Sequence, residues 1–282
     1  MAISVYSRPS DIITDEATIT ASTGTVSSET GYGLPSLYDL NPAKPCKFAA
    51  PGAIRLVADF GSARRIEGMA VPNHNFDPGV IVSMQLNTAD AWVTPAVSVP
   101  LTMPALHLDG HRSSPWVNFT TASGYGAGLY RYASLSVGAN AAASKVGEWL
   151  IMTALRTFEI AGPGRGGIQM GARKGTDRRF LDSLETEYGV VRVLRRRIKQ
   201  RTWSVRVKGT NADYTALQAL GDDCSGRALP FFFAENGITA VDDGLYVRFT
   251  RETAERLVAE EEWFNLDSFA MDMQEVSRSL PL

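Results

Sequence analysis

The stretch Ile54-Arg55-Leu56-Val57-Ala58-Asp59-Phe60, which Gly61 follows, is the clearest strand signal in the chain. It is a short run of apolar and β-branched residues that ends at a glycine turn. The surrounding sequence is rich in Ala, Ser, Thr, Gly and Pro and carries more runs of this kind, at 66–72, 80–86, 116–119, 130–137 and 148–153. Many short strands separated by polar turns predict an antiparallel β-sandwich over residues 1–160.

A glycine-rich segment follows the last of these runs. Residues 161–167 read Ala-Gly-Pro-Gly-Arg-Gly-Gly, a composition typical of a hinge or linker. The alternative is a long turn inside one domain. A change of composition beyond the segment favours two domains, at 1–160 and 168–282.

The charge distribution beyond the linker is uneven. Residues 165–208 hold 13 basic and 4 acidic residues, a net charge of +9, whereas residues 209–282 hold 5 basic and 14 acidic residues, a net charge of −9. Opposite stretches of this kind attract each other, either within one chain or between neighbouring copies.

The predicted second domain is also mainly β. Trp203, Val205 and Val207 alternate with polar residues, which predicts a half-buried strand. Residues 211–220 predict the one short helix, which ends at Gly221. Further strands are predicted at 229–233, 244–249 and 269–274. The predicted fold class is therefore mainly β, a sandwich followed by a smaller barrel-like domain.

Composition and motifs exclude several classes of function. The formal net charge of the 282 residues is −2, so the chain as a whole has no broad attraction for nucleic acid or for a membrane surface. Neither a signal peptide nor an apolar run of about 20 residues is present, so we expect folding in a cytoplasm and no membrane insertion. Cys46 and Cys224 are predicted to be free thiols.

Motifs of catalysis are also missing from the sequence. It has no Gly-x-Ser-x-Gly elbow, no Walker loop and no zinc-type spacing of Cys and His. We therefore expect no enzyme activity, no cofactor, and no catalytic, cofactor-binding or metal-ligating residue. His74, which lies between Asn73 and Asn75, is predicted to brace a loop by hydrogen bonds.

The basic run in the second half is the sharpest charge feature. It comprises Arg195, Arg196, Arg197, Lys199 and Arg201. Nucleic-acid binding would require interleaved aromatic residues and a basic domain, so sequence-specific recognition is not expected. An ion-pair surface, either for assembly between copies or between domains of one chain, is the favoured interpretation, and a solvated face is the alternative.

Three segments of the first half resemble the discoidin-like, galactose-binding-like β-sandwich. They are Leu37-Tyr38-Asp39-Leu40-Asn41-Pro42, then Asp59-Phe60-Gly61, then the strand at 66–72 that ends in Asn73-His74-Asn75. The version with Asn-His-Asn looks like domains embedded in phage tail proteins. Domains of this family sometimes bind sugars or calcium through loops at one end.

The order of elements in the second half resembles the ring-forming domain of phage distal-tail and tail-tip proteins. A basic strand with Arg201-Thr202-Trp203 comes first, a short helix follows, then the Arg-x-x-Pro-Phe segment at 227–231 and a closing strand. The resemblance implies a structural virion protein that is assembled in the host cytoplasm. It would form a homo-oligomeric ring at the tail tip or baseplate, joining the tail tube to hub or fibre proteins.

The alternative function is that of a carbohydrate-binding adhesion module that contacts a host surface glycan. Tyr125, Tyr130 and Trp116 would then stack on sugar rings, whereas packing in the core is the other interpretation of the same residues.

Overall fold

The computed structural model describes residues 5–39, 44–106, 113–157, 167–168, 173–180, 183–185, 191–193, 197–209, 211–225, 229–234, 244–250, 255–257 and 267–276. It divides into two compact units. Unit 1 contains Met1–Phe158, Phe231–Leu245 and Leu282, and unit 2 contains Glu159–Pro230 and Tyr246–Pro281.

In the described residues before the segment 161–167 there are twelve strands. They are β1 Val5–Ser7, β2 Thr18–Thr23, β3 Cys46–Lys47, β4 Gly52–Arg65, β5 Gly68–Ala70, β6 Ile81–Asn87, β7 Val97–Thr102, β8 Trp116–Asn118, β9 Leu129–Asn140, β10 Lys145–Val146, β11 Leu150–Met152 and β12 Arg156–Thr157. Short 3₁₀ turns occupy Pro9–Asp11, Thr14–Glu16, Leu34–Leu37 and Phe119–Thr121.

The remaining described elements contain the one α-helix. They are β13 Gly167–Ile168, β14 Arg173–Phe180, β15 Ser183–Glu185, β16 Val191–Val193, β17 Arg197–Gly209, α1 Asn211–Asp223, β18 Phe231–Ala234, β19 Gly244–Phe249, β20 Glu255–Leu257 and β21 Asp267–Glu275.

Two antiparallel sheets form the sandwich of unit 1. One has five strands in the order β2–β4–β9–β6–β7, and the other has three in the order β11–β5–β8. Their facing sides share one hydrophobic core, to which the large sheet contributes Leu56 and Leu135 and the small sheet contributes Met69, Val117 and Ile151. The predicted mainly β fold class is therefore confirmed.

The small sheet is buried on both faces. Its second face carries Ala70, Trp116, Leu150 and Met152, and none of these residues is more than 3% exposed. Strand β1 pairs with β12 on one side and with β18 on the other. The Phe232 ring of β18 lies 5.3 Å from the Trp116 ring. Successive residues of a strand point to opposite faces, and most residues of β5, β8 and β11 are apolar. Both faces of this sheet therefore need a covering layer.

The grouping of β18 with unit 1 affects where the domain boundaries fall. Strand β18 belongs to the segment Phe231–Leu245, which clusters with unit 1 although it follows unit 2 in the chain. The sequence predicts a first domain at 1–160, a linker at 161–167 and a second domain at 168–282, which places Phe231–Leu245 in the second domain. These boundaries stay predictions. Residues 161–166 lie outside the described part of the chain.

The sequence did not predict β2 or β7, which are the two edge strands of the large sheet. Only Val97 among the residues of β2 and β7 is buried. Pro100 lies within β7, at a position that an edge strand tolerates because one of its sides needs no ladder hydrogen bond. Edge strands bury little apolar surface, so their sequences carry a weak hydrophobic pattern.

Unit 2 is organised around β17 and β21. Strand β17 pairs with β13 and β14 along one edge and with β21 along the other. The far edge of β21 pairs with β19 and β20. The predicted half-buried strand is part of β17, where Trp203, Val205 and Val207 lie opposite Met273, Met271 and Phe269.

Helix α1 continues past its predicted end at Gly221. The amide of Cys224 still donates to the carbonyl of Leu220, in the helical pattern. The turn comes at Ser225, which has a φ of 47° and donates to the carbonyl of Asp222. A left-handed residue after the last turn ends a helix, and here a serine takes the position that was assigned to glycine. In the described residues no helix is long and apolar enough to cross a membrane.

We predict that Phe232→Ala lowers the free energy of unfolding by about 3–5 kcal/mol, because it leaves a cavity against Trp116. Val93→Ala is the matched control, since Val93 is 97% exposed and should change stability by no more than about 0.5 kcal/mol. Denaturant unfolding measures both variants. A loss for Phe232→Ala no larger than that of the control would show that β18 does not cover this sheet.

Candidate functional site

Loops gather at the two ends of the sandwich because all its strands are antiparallel. The motif end comprises the loops 71–80 and 141–149. The hairpin end comprises the irregular end of β4 with the two residues after it, 60–67, and the loops 88–96 and 119–128. These two loop clusters carry the polar and aromatic residues from which a site could be built.

At the motif end, the Asn-His-Asn segment ties three loops together. Asn73 donates through Nδ2 to Oε2 of Glu148 at 2.7 Å. Asn75 donates to the carbonyl of Ala143 at 2.9 Å and accepts from the amide of Lys145 at 2.7 Å. His74 joins the carbonyl of Ser113 through Nε2 at 2.8 Å. These bonds hold the Asn-His-Asn segment against the loop 141–149 and against Ser113.

The hydrogen bonds of His74 indicate its tautomer. Nδ1 accepts from the amide of Phe76 at 3.1 Å, so the ring proton lies on Nε2 and is donated to the carbonyl of Ser113. The imidazole is 5% exposed and stacks on Phe76, with ring centroids 4.3 Å apart. The predicted bracing role of His74 is confirmed.

Two further polar residues extend this arrangement. Asn140 accepts the amide of Asp77 at 2.8 Å and donates to the carbonyl of Ala142 at 2.9 Å, while Asp77 accepts the amide of Ala141 at 2.9 Å. Buried polar groups that bond to each other rigidify the loops that carry them. At the motif end, these polar side chains therefore form hydrogen bonds within the protein that hold the loops together.

At the hairpin end, Trp92 is held at the tip of the β6–β7 hairpin. Its Nε1 donates to Oδ1 of Asp90 at 2.6 Å. Asn87 closes the turn, because its side chain donates to the carbonyl of Ala91 and accepts from the amide of Thr88. The Trp92 side chain is half-buried, and the adjacent Val93 is almost fully exposed. The turn therefore offers an indole ring in a fixed orientation.

A charged cluster on the same side lies where the regular pairing of β4 with β9 ends, at Asp59 and Tyr132. Arg131 makes a bidentate ion pair with Asp59, at 2.8 and 2.9 Å, and its guanidinium lies 4.9 Å from the centroid of the Tyr132 ring. Hydrogen bonds from Arg131, followed by the bond from the Gly61 amide, lower the pKa of Asp59. Tyr132 lies directly opposite Asn87 of β6, so this cluster adjoins the hairpin that carries Trp92.

The glycine-rich loop before β9 completes the hairpin end. Gly124, Gly126 and Gly128 all have positive φ, and a Cβ on Gly124 would lie 2.8 Å from the carbonyl oxygen of Ala96. The loop can therefore approach the hairpin closely only because it has glycine there. The hydroxyl of Tyr130 donates to the carbonyl of Tyr125 and stabilises the turn from within.

The three aromatic residues considered as sugar contacts have different positions. Trp116 is fully buried against Phe232, and Tyr130 is 5% exposed, so both pack in the core as the other interpretation held. Tyr125 is half-buried, and burial, with the charge of Glu67 as the next cause, raises the pKa of its hydroxyl to about 12. Sequence reasoning missed Trp92, although a tryptophan within a polar turn was a usable signal.

The basic run is described only in part. Arg195 and Arg196 lie outside the described residues, whereas Arg197, Lys199 and Arg201 occupy alternate positions of β17. Residues two apart share a face of a strand, so these three lie on one face. Their predicted role in assembly stays a prediction.

Cys46 and Cys224 are free and buried, and burial raises the pKa of each thiol to about 12. The described residues hold no group of three or more His, Cys, Asp or Glu that could bind a metal ion.

No protein-family model and no curated protein matches the sequence. Among solved structures, the chain is similar to a GH29 fucosidase of Ruminococcus gnavus in complex with fucose, at 11% identity and a TM-score of 0.37, over 50% of this chain and 26% of the fucosidase. It thus spans about a quarter of that enzyme.

Two smaller structures cover a similar part of this chain. One is the CBM32 of AlyQ, at 19% identity and a TM-score of 0.34, over 49% of this chain and 95% of the module. The other is the chitosan-binding module 1 of a chitosanase/glucanase from Paenibacillus, at 13% identity and a TM-score of 0.34, over 48% of this chain and 94% of the module. Likenesses at this level say nothing about what this chain binds.

We predict that Gly147→Ala destabilises unit 1 by about 1–3 kcal/mol, because the added Cβ would lie 2.7 Å from both Cβ and the carbonyl oxygen of Asn73. Gly33→Ala is the matched control, since its Cβ would meet nothing closer than 3.6 Å. Thermal unfolding compares the two variants. Equal melting temperatures for the two variants would show that the Asn-His-Asn segment and the loop 141–149 are not packed as closely as the structure indicates.

Proposed function

We propose that this chain is a non-catalytic carbohydrate-binding protein that recognises a glycan at the hairpin end of unit 1. The observation that carries this proposal is the Trp92 ring, which is half-exposed at a hairpin tip and held in place by its hydrogen bond to Asp90. An aromatic ring with a fixed orientation can stack on the apolar face of a sugar without losing much conformational freedom.

The surroundings of Trp92 supply suitable polar groups. Ligand sites typically combine aromatic surface with a few oriented polar groups that determine specificity. The second carboxylate oxygen of Asp90, the Asp59–Arg131 pair and the Tyr132 ring are all at this end of the sandwich. Carboxylate and guanidinium groups can accept from and donate to sugar hydroxyls, which are both donors and acceptors.

A second candidate function is that of a structural virion protein, a multi-copy ring component at the distal end of a phage tail. It is supported by the role of Asn73, His74 and Asn75, the segment in which the chain resembles phage tail domains. Their side chains stabilise loops from inside, as a permanent scaffold requires. In this function the chain joins the tail tube to hub or fibre proteins, and glycan binding by unit 1 would serve adhesion.

We predict that Trp92→Ala weakens glycan binding by about thirtyfold, since loss of a central aromatic anchor costs on the order of 2 kcal/mol. A glycan array with the full chain identifies the ligand, and calorimetry measures the affinity. Val93→Ala, one residue away, is the matched control and should bind like the wild type. The same ligand should be recovered unchanged after long incubation with the protein.

Two results would overturn the proposal. One is the absence of any glycan that binds the full chain with millimolar or better affinity. The other is a ligand whose affinity Trp92→Ala leaves unaltered. Reproducible hydrolysis of the ligand would overturn only the statement that the protein is non-catalytic.

For the second candidate, we expect closed rings of uniform diameter when the purified full chain is imaged by negative-stain electron microscopy. The physical reason is that a heterologous interface repeated by rotation closes into a ring. A chain that stays monomeric at the highest attainable concentration would contradict this candidate while leaving glycan recognition untouched.

A further inference from the structure

The two edges of the five-stranded sheet in unit 1 differ in how they are protected. Strand β7 at one edge contains Pro100, which cannot donate a backbone hydrogen bond to a further strand. Strand β2 at the other edge reads Thr-Ile-Thr-Ala-Ser-Thr and contains neither a proline nor a charged residue. Proline and charged side chains are two means by which proteins stop an edge strand from pairing with another chain. Strand β2 lacks both.

Strand β2 is also accessible along its length. Four of its six residues are exposed, and the other two, Ile19 and Ala21, are half-buried. Ile19 and Ala21 pack against the hydrophobic core of the sandwich but are not fully covered by it. Among the described residues, β2 pairs only with β4. A further strand on the open side of β2 would extend the hydrogen-bonded ladder and cover the remaining apolar surface of these two residues.

The two ends of β2 carry charges of opposite sign. Asp15 is exposed three residues before the strand, and Arg55 of β4 lies directly opposite Thr23 at its other end. In the part of the chain that the structure describes, neither Asp15 nor Arg55 forms an ion pair, whereas Glu16 is paired with Arg64 at 3.3 Å. One acidic and one basic side chain are therefore left without a counter-charge at opposite ends of the same edge.

Antiparallel pairing with β2 of a second copy brings these opposite charges together. In an antiparallel pair the start of one strand lies beside the end of the other. Asp15 of each copy then lies at the same end as Arg55 of the other copy, and two-fold symmetry produces this match twice. Parallel pairing would instead place Asp15 beside Asp15, and like charges in that position repel. The charges therefore favour a second copy of this chain in the antiparallel orientation.

We infer that β2 is a dimerisation edge, at which two copies join their five-stranded sheets into one continuous sheet. The pairing of β2 with β4 shifts register between Ala21 and Thr23, so the regular part of the edge is residues 18–21. A contact this short buries little area, and the dissociation constant of the dimer is therefore on the order of 0.1 mM. The contact is closed by its two-fold axis, which distinguishes it from the repeated heterologous contact of a ring. It does not depend on glycan recognition at the hairpin end.

Sedimentation equilibrium of the full chain, from about 10 μM to about 1 mM, tests for the dimer on both sides of its dissociation constant. We expect a single monomer–dimer equilibrium. Hydrogen exchange locates the contact, because amides that enter a new strand pair exchange more slowly. The amides of β2 should gain protection as the protein concentration rises, whereas those of β7 should not change.

Thr20→Lys should weaken the dimer by about tenfold or more, because it introduces two ammonium groups near the two-fold axis. Thr102→Lys is the matched control, since it adds the same charge at an exposed position of the other edge strand and should dimerise like the wild type. Asp15→Arg and Arg55→Asp should each weaken the dimer, and one chain that carries both changes should regain it. A melting curve shows that each variant is folded.

Several outcomes overturn the inference. They are a wild type that is monomeric at about 1 mM, a Thr20→Lys chain that dimerises at wild-type strength, an equal loss for Thr102→Lys, and failure of the chain with both charge changes to regain the dimer. A monomeric wild type that binds a synthetic peptide with the sequence of residues 15–25 would show that the edge accepts an extended segment of another protein instead. None of these outcomes alters the test of glycan binding with Trp92→Ala.

Discussion

The fold of unit 1 depends on covering the second face of its three-stranded sheet. Strands β5, β8 and β11 are apolar on both sides, and the large sheet can bury only one of them. On the other side, Phe232 of β18 meets Trp116. Because β18 comes from a distant part of the chain, unit 1 is complete only when the chain returns after residue 230. Hydrophobic burial therefore links the two halves of the sequence.

With this layer in place, the two ends of the sandwich have different roles. At the motif end, Asn73 bonds to the Glu148 side chain, while His74 and Asn75 bond to neighbouring backbone. Buried polar groups need partners, and the fold supplies them from Ser113 and from the loop 141–149. At the hairpin end, a tight turn and a glycine-rich loop present a tryptophan and a charged cluster near the surface. Polar side chains are therefore used inside the protein at the motif end and lie near the surface at the hairpin end.

Strand register determines how the charged residues of unit 2 are distributed. The sequence concentrates basic residues between 165 and 208, yet concentration alone does not distinguish a solvated surface from an interface. Pairing of β14 with β17 sorts these residues onto two faces, with Arg178 and Lys199 on one face and Arg173 and Arg179 on the other. A one-residue change of register would redistribute them, because each residue would move to the opposite face.

The sequence by itself determined the mainly β fold class, most strand positions in the large sheet, the position of β19 and the bracing role of His74. These follow from local hydrophobic pattern and turn chemistry, which act over a few residues. It did not reveal the edge strands β2 and β7, which bury little apolar surface. It also did not reveal the helix end at Ser225, where a serine adopts the left-handed conformation that glycine more often supplies. Only the tertiary structure decided that Phe231–Ala234 covers Trp116, that Trp92 is accessible while Tyr130 is not, and which basic residues share a face. Burial and strand register are set by partners far away in sequence, and a local pattern carries no information about those partners.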